Sequence, residues 1–283
     1  LNNEEKLLLS VHSEADAIRI GKILGYKYRM VYYKRKKLLD SLSTGIDSIQ
    51  KRIAPQLLGC EKLTGDYVIS ADWHVPFFSM EWANKLIEKA KQYNIRKHII
   101  GGDFLDNYMY SFFDKKRPHK YEDTLKIAEL IFDRLEEVFD ETILFTGNHE
   151  DRFSRTNKFH IDNTRVLQML GRDMKHYKFS EYHYLILDDW RLTHPGSYRQ
   201  QKLSVASALA DKFRMNVLQA HGHFGSIGYS RSGYLVGDMG GIFDKTRAEY
   251  TMEKDTTHPV WNNGFFIYKD KVMRPVLEGW DLA

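Results

Sequence analysis

The chain has 283 residues, a formal net charge of +4, 42% hydrophobic residues and one cysteine. That length and apolar content are ordinary for a globular protein able to bury a sizeable core, and one cysteine excludes an intrachain disulfide framework. The apolar stretches reach only about five residues, far short of the ~20 that cross a bilayer, and Leu1-Asn2-Asn3-Glu4-Glu5 is nothing like a signal peptide.

A cytoplasmic protein with no membrane partner is therefore expected. The chain opens on Leu1 rather than Met, which is consistent with a segment upstream of it. Charge is concentrated at the front: residues 1–65 hold 12 Lys and Arg against 7 Asp and Glu, leaving −1 for the remainder.

In chain order, Ser13-Glu14-Ala15-Asp16 reads as a capping box. Ala15, Ile18, Ile20 and Leu24 suit one helix face, and Gly25 punctuates it. The basic run that follows carries Lys27, Arg29, Lys34, Arg35, Lys36 and Lys37 among Tyr28, Tyr32 and Tyr33. Two helices around a Gly turn are expected over residues 1–49, as a small all-α module. Such a pair resembles a helix-turn-helix, whose second helix enters the DNA major groove. A plain helical hairpin with a solvated basic face is the alternative. Residues 50–65, with Pro55, Gly59 and Gly65, are expected to form a linker or short connecting helix.

From residue 66 to 283 a second domain is expected. Asp66 to Ser70 reads as its first strand, ending at Asp72-Trp73-His74. Trp82, Ala83, Leu86, Ile87, Ala90 and Tyr93 recur at helical spacing, and Lys97 to Ile100 is a strand feeding Gly102-Asp103-Phe104-Leu105-Asp106. Leu125, Ala128, Phe132, Leu135 and Phe139 mark an amphipathic helix, and Ile143-Leu144-Phe145 delivers Gly147-Asn148-His149-Glu150. A hairpin over 182–193, turning at Asp188-Asp189, leads into His194. A helix from Leu203 to Phe213 precedes a strand over 215–220 that ends at His221-Gly222-His223, and a hairpin over 264–277 closes the domain. Helices outside two packed sheets fit this order.

Imidazole and carboxylate suit Zn, Fe, Mn or Co near neutral pH, and soft thiolates are absent from these motifs. Two ions about 3.5–4 Å apart need a bridging carboxylate and further ligands for each, and Asp103 is the natural bridge. Read on strands, Asp72 with His74, and His221 with His223, would each project to one face. Each motif alone also has a bland reading, as a turn or a satisfied core histidine. Three of them end short apolar runs, where α/β sheets gather ligands.

The set resembles the calcineurin-like metallophosphoesterases, whose pattern runs Asp-x-His, Gly-Asp-x-x-Asp, Gly-Asn-His-Asp/Glu, His, Gly-His-x-His. The resemblance spans roughly Gly65 to the C-terminus. It implies a four-layer α/β/β/α sandwich of two mixed sheets flanked by helices. It also implies that Asp72, His74 and His223 hold one metal, that Asn148, His194 and His221 hold the other, and that Asp103 bridges them. His149 then becomes the general acid, oriented by Asp106. The cofactors implied are two divalent ions, manganese in first place, with iron, zinc, cobalt or nickel as alternatives. Ala220 stands where the family usually has Gly, and Asn107-Tyr108 stands where the family's protein Ser/Thr phosphatases continue with Arg-Gly.

Two divalent ions make hydroxide available near pH 7 and neutralise charge on phosphoryl oxygens. Direct hydrolysis is expected, because no nucleophilic Cys or Ser-His-Asp arrangement stands near the motifs. Lys115, Lys116 and Arg117 on a basic loop, and Arg152 and Arg155 after Glu150, are candidates for gripping phosphate; a solvated loop and ordinary ion pairs are the competing accounts. The favoured function is a phosphodiesterase or nuclease acting on DNA, with the basic front as its docking module, a pairing that resembles accessory phosphoesterases of bacteriophage and mobile elements. A phosphomonoesterase on a small-molecule or protein phosphate, and a non-catalytic DNA-binding protein, are the alternatives.

Overall fold

The computed structural model describes residues 2–53, 60–111, 120–156, 163–197, 199–247 and 261–280. The chain divides into two compact units, residues 1–59 and 60–283.

Among the described residues the first unit has three helices: α1 (Asn3–Leu9), α2 (Glu14–Leu24) and α3 (Tyr28–Ile53). Ser13 and Asp16 form the expected reciprocal capping box at the start of α2, and Gly25 ends that helix in the left-handed region at φ 73°. Asn2 and Glu5 cap α1 in the same way. The short α1 has no periodic apolar pattern to announce it, and α3 runs past residue 49, where the module was expected to end. Leu8, Val11, Ala17, Ile20 and Val31 make a small core. A Cβ on Gly21 would lie 2.6 Å from the Tyr26 carbonyl oxygen, so the turn packs closely against α2.

The second unit holds two mixed sheets. One has the order β12-β11-β2-β3-β4-β5, with β2 (Tyr67–Ser70), β3 (Lys97–Ile100), β4 (Glu141–Phe145), β5 (Tyr177–Ser180), β11 (Gly264–Lys269) and β12 (Val272–Leu277). Its β2, β3, β4 and β5 are mutually parallel, while β11 joins β2 and β12 antiparallel. The other has the order β1-β6-β7-β8-β10-β9, with β1 (Lys62–Leu63), β6 (Tyr184–Leu187), β7 (Trp190–Thr193), β8 (Asn216–Gln219), β9 (Ser226–Tyr229) and β10 (Leu235–Asp238). β1 lies within the stretch read from sequence as a linker, paired parallel to β6.

Strand alternation explains the layers. Tyr67 and Ile69 of β2, with Ile99 and Ile143, pack against Leu185, Leu187, Leu192 and Leu218 of the second sheet. The opposite face presents Val68, Ile100 and Leu144 to α4 (Met80–Tyr93) and α5 (Tyr121–Glu136), through Trp82, Leu86, Ala128 and Phe132. On the far side, Ala206 and Ala210 of α8 (Ser204–Phe213) cover Val217 and Val236. The result is the α/β/β/α sandwich of two mixed sheets flanked by helices. Two further short helices, α6 (Asn148–Thr156) and α7 (Asn163–Met169), follow β4. The two sheets bring the ends of β2, β3, β4, β7 and β8 together, and the site lies there. Among the described residues no helix is long and apolar enough to cross a membrane.

Candidate metal centre

Asp72 and His74 leave the end of β2, and His221 and His223 leave the end of β8. Neither pair lies on a strand, which corrects the alternation argument. Instead Asp72 (φ 53°), His74 (φ 48°), His221 (φ 73°) and His223 (φ 57°) all adopt the left-handed region, as does Asp103 at φ 52°. Each kink curls the chain around the pocket. Non-glycine residues held there cost of order 1–3 kcal/mol each and concentrate at functional sites.

Main-chain bonds fix these kinks. Asp72 N–H donates to the Gly102 carbonyl at 3.1 Å, and His74 N–H to the Asp103 carbonyl at 2.9 Å. A Cβ on Gly147 would lie 2.2 Å from Asp103 Oδ1, so only glycine lets the two motif loops approach this closely. Gly102 is similarly required: it holds φ 84°, and an added Cβ would fall 2.7 Å from His194 Nδ1.

The donor atoms converge in overlapping groups: Asp72, His74 and His223; His74, Asp103 and His149; Asp103, His194 and His221. In the first, His74 Nε2 and His223 Nε2 are 3.3 Å apart, and Asp72 Oδ1 lies 3.4 Å from His223 Nε2 and 3.8 Å from His74 Nε2. Ligands bonded at about 2.0–2.2 Å around one ion are separated by roughly 3.0–3.5 Å. Asp72 Oδ1 is buried and has no hydrogen-bond partner among the described residues, a cost that a cation in this cluster would relieve. In the other group, Asp103 Oδ2 is 3.3 Å from His194 Nε2, and Asn148 Oδ1 is 3.0 Å from the same nitrogen. Imidazole, carboxylate and carboxamide are the donors, and they fit divalent transition ions.

Partners behind the cluster set the rings. His74 Nδ1 is 2.9 Å from Asp106 Oδ2, and His194 Nδ1 is 3.0 Å from the Gly101 carbonyl, so each turns its Nε2 inward. Asp72 Oδ2 accepts the His221 N–H at 3.0 Å. The His223 ring stacks on Trp261, centroids 4.6 Å apart. His149 Nδ1 is held by the main-chain carbonyl of Asp106, whose carboxylate is engaged with His74.

Glu150 acts in a way the sequence reading passed over. Its buried carboxylate accepts N–H bonds from Asp103 at 2.8 Å, Phe104 at 2.8 Å and Gly147 at 2.9 Å, clamping the Asp103 loop to the start of α6. The signal was present: Glu150 is three residues past Gly147, the capping-box position of α6.

Electrostatics shows a centre poised for cations. Burial pushes the Asp72 and Glu150 carboxyls up to about 7 and pulls His149 and His221 down to about 4. Burial also opposes charge on His194, but the Asp103 and Asp72 carboxylates overcome it and raise His194 to about 10. Asp103 resists its own burial through His149 and His194 and lies well below the ordinary carboxylate range. In the metal-free protein, protons carry the positive charge that this cluster demands.

The remaining candidates separate. Arg152 Nη1 lies 3.2 Å from His149 Nδ1, beside the cluster, whereas Arg155, 68% exposed, pairs with Asp151 at 3.2 Å one helical turn away. Lys115, Lys116 and Arg117 lie outside the described residues. In the first unit Lys27, Arg29, Lys36 and Lys37 are exposed and Arg35 is half-buried. Lys34 is half-buried and committed to Glu4 at 2.9 Å and to the Tyr26 hydroxyl, so it ties α3 to α1.

No protein-family model matches the sequence, and no curated protein matches it. Solved structures similar to this chain include a phosphoesterase, YfcE, from E. coli, at 13% identity and a TM-score of 0.39, covering 74% of this chain and 90% of its own. Vps29 from Chaetomium thermophilum is similar at 9% identity and a TM-score of 0.38, over 76% and 95% of the two chains. A dimetal phosphatase from Danio rerio is similar at 11% identity and a TM-score of 0.37, over 75% and 98%. Likeness at this level leaves the chemistry to the side chains of the site.

Proposed function

We propose that this chain is a calcineurin-like metallophosphoesterase, a two-metal phosphoester hydrolase, and that its substrates are phosphodiesters of DNA. The observation that carries the reading is the Asp103 carboxylate, whose donor atoms group with His74 and His149 and also with His194 and the half-buried His221. Asp72, His74 and His223 would hold one ion, and Asn148, His194 and His221 the other, with Asp103 shared. When bound, the pair supplies an activated water and neutralises charge growing on the phosphoryl oxygens.

This chain's residues do the rest. His149 keeps Nδ1 on the Asp106 carbonyl, which leaves Nε2 as the atom that delivers a proton to the departing oxygen. Burial, with the positive charges of His74 and Arg152 beside it, lowers His149 to about 4, so the negative charge of a bound phosphate ester would be needed for the ring to take up that proton. Arg152, whose Nη1 is 3.2 Å from His149 Nδ1, would grip a phosphoryl oxygen of the substrate. The exposed Lys27, Arg29, Lys36 and Lys37 would add salt-dependent affinity for the DNA backbone.

The test is turnover by chelator-stripped protein resupplied with Mn, using an aryl phosphodiester, an aryl phosphomonoester, and single- and double-stranded DNA. Cleavage of the diester and of DNA is expected. Turnover of the monoester alone would make the protein a phosphatase, and no turnover of any substrate would overturn the hydrolase reading.

A further inference from the structure

Asn107 directly follows the Asp103–Asp106 motif and is given no role by the two-metal chemistry. It is 3% exposed and holds φ 53°, a left-handed conformation that Asn tolerates better than most residues. Its Nδ2 donates to the main-chain carbonyl of His149 at 2.9 Å, and its Oδ1 accepts from the Tyr121 hydroxyl at 3.1 Å. The amide orientation is dictated by the partners: a carbonyl can only accept, so the NH₂ group faces His149 and the oxygen faces Tyr121. Tyr121 is itself fixed by aromatic neighbours, stacked on Phe153 at 6.2 Å and edge-on to Tyr110 at 5.3 Å.

His149 is thereby gripped on three sides. Its N–H donates to Asp103 Oδ1 at 2.9 Å, its ring Nδ1 meets the Asp106 carbonyl, and its own carbonyl takes the Asn107 amide. The first comes from Asp103, the proposed bridging ligand itself, and the second from Asp106, whose carboxylate holds the ligand His74. The third comes from α5 through Tyr121 and Asn107, and it is the one that can be removed without touching a ligand or the proton donor.

We infer that Asn107, oriented by Tyr121, is a positioning residue that holds His149 in the geometry for proton delivery to the leaving group. This rests on the hydrolase reading above, with His149 as the acid. Loss of the grip leaves the metals and substrate binding in place and lets the His149 backbone and ring drift, so the cost falls on steps that need the proton. A misplaced acid matters little for a leaving group that departs readily as an anion and much for one that does not.

The variants are Asn107→Asp, which keeps the left-handed preference but sets an acceptor against the His149 carbonyl, Asn107→Gly, which keeps the backbone and deletes the side chain, and Tyr121→Phe. On aryl phosphodiesters of graded leaving-group acidity, Asn107→Asp is expected to lower kcat about 10-fold or more for the poorest leaving group and less than about 2-fold for the best. KM and metal content should stay unchanged, with Tyr121→Phe showing the same pattern more weakly. In metal-free protein, long-range ¹H–¹⁵N spectra should give one His149 tautomer, protonated at Nδ1, in the wild type and a mixture in both Asn107 variants. Equal losses across all leaving groups, or unchanged His149 signals in both Asn107 variants, would overturn the inference. A wild type that hydrolyses no phosphoester would overturn the hydrolase reading instead, and the ring signals would still decide whether Asn107 holds His149.

Discussion

The main-chain N–H of His149 donates to Oδ1 of Asp103 at 2.9 Å, while the other oxygen of that carboxylate lies 3.3 Å from His194 Nε2 and 4.0 Å from His74 Nε2. One side chain therefore faces both donor groups and also sets the start of the helix that carries the proposed acid.

Asp103→Asn tests this double role. The amide keeps the shape and an oxygen for the His149 N–H but lacks the charge to hold two cations together. Turnover should fall by on the order of 10³-fold or more, with at least one ion lost by metal analysis. A folded Asp103→Asn protein that retains two ions would count against the bridging assignment.

His149→Ala should leave both ions bound. Activity toward a poor leaving group should drop by about 10²–10⁴-fold, while a good leaving group suffers little. Leaving-group dependence of kcat measures this, and an equal loss across the series would remove His149 as the acid.

Metal affinity should rise with pH. Asp72, raised to about 7, and His194, raised to about 10, both hold protons below those values in the metal-free protein. An ion must displace those protons, so affinity weakens by up to about tenfold per pH unit for each proton released as pH falls. Calorimetry in buffers of different ionisation enthalpy, at pH 6 and pH 8, reads the proton release directly. Affinity that does not change with pH would contradict the electrostatic account.

His98 gives a prediction about stability. It is buried on β3 against Phe139, with its Nε2 2.9 Å from Ser70 Oγ, and burial lowers it to about 3. A histidine lowered in the folded state adds stability that is complete above its ordinary value of 6.5 and is lost as pH falls toward about 3. That loss is on the order of a few kcal/mol. His98→Gln should be less stable than the wild type at pH 7 and should close the gap in acid. Parallel stability curves for the two proteins would rule this out.

The basic helix divides into two kinds of lysine. Substituting Lys36 and Lys37 together with Gln should weaken DNA binding and flatten its salt dependence, by about 0.9 in log–log slope for each phosphate that is no longer neutralised. Lys34→Gln should instead loosen the first unit, because Lys34 is engaged with Glu4 and Tyr26. DNA binding unchanged in the double variant would leave α3 without a role in docking.

Much of the site was legible because its residues terminate apolar runs. Ile143-Leu144-Phe145 announces a buried strand, and whatever follows it falls at the sheet's end, where Asn148 and His149 sit. The left-handed kinks at Asp72, His74, His221 and His223 were not legible, because nothing in a residue's identity dictates that conformation when neighbouring loops impose it. The double engagement of Asp106, its carboxylate bonded to His74 and 3.5 Å from His149 Nδ1 while its carbonyl meets that same nitrogen, depends on how two loops meet and is likewise tertiary. The weak helix α1 and the two-residue β1 are set by packing and pairing rather than by periodicity.

The most direct test of the two-metal centre is anomalous diffraction from crystals soaked in Mn. Two peaks about 3.5–4 Å apart, with the Asp103 carboxylate between them, are predicted: one beside Asp72, His74 and His223, the other beside Asn148, His194 and His221. A single peak, or two peaks without Asp103 between them, would contradict it.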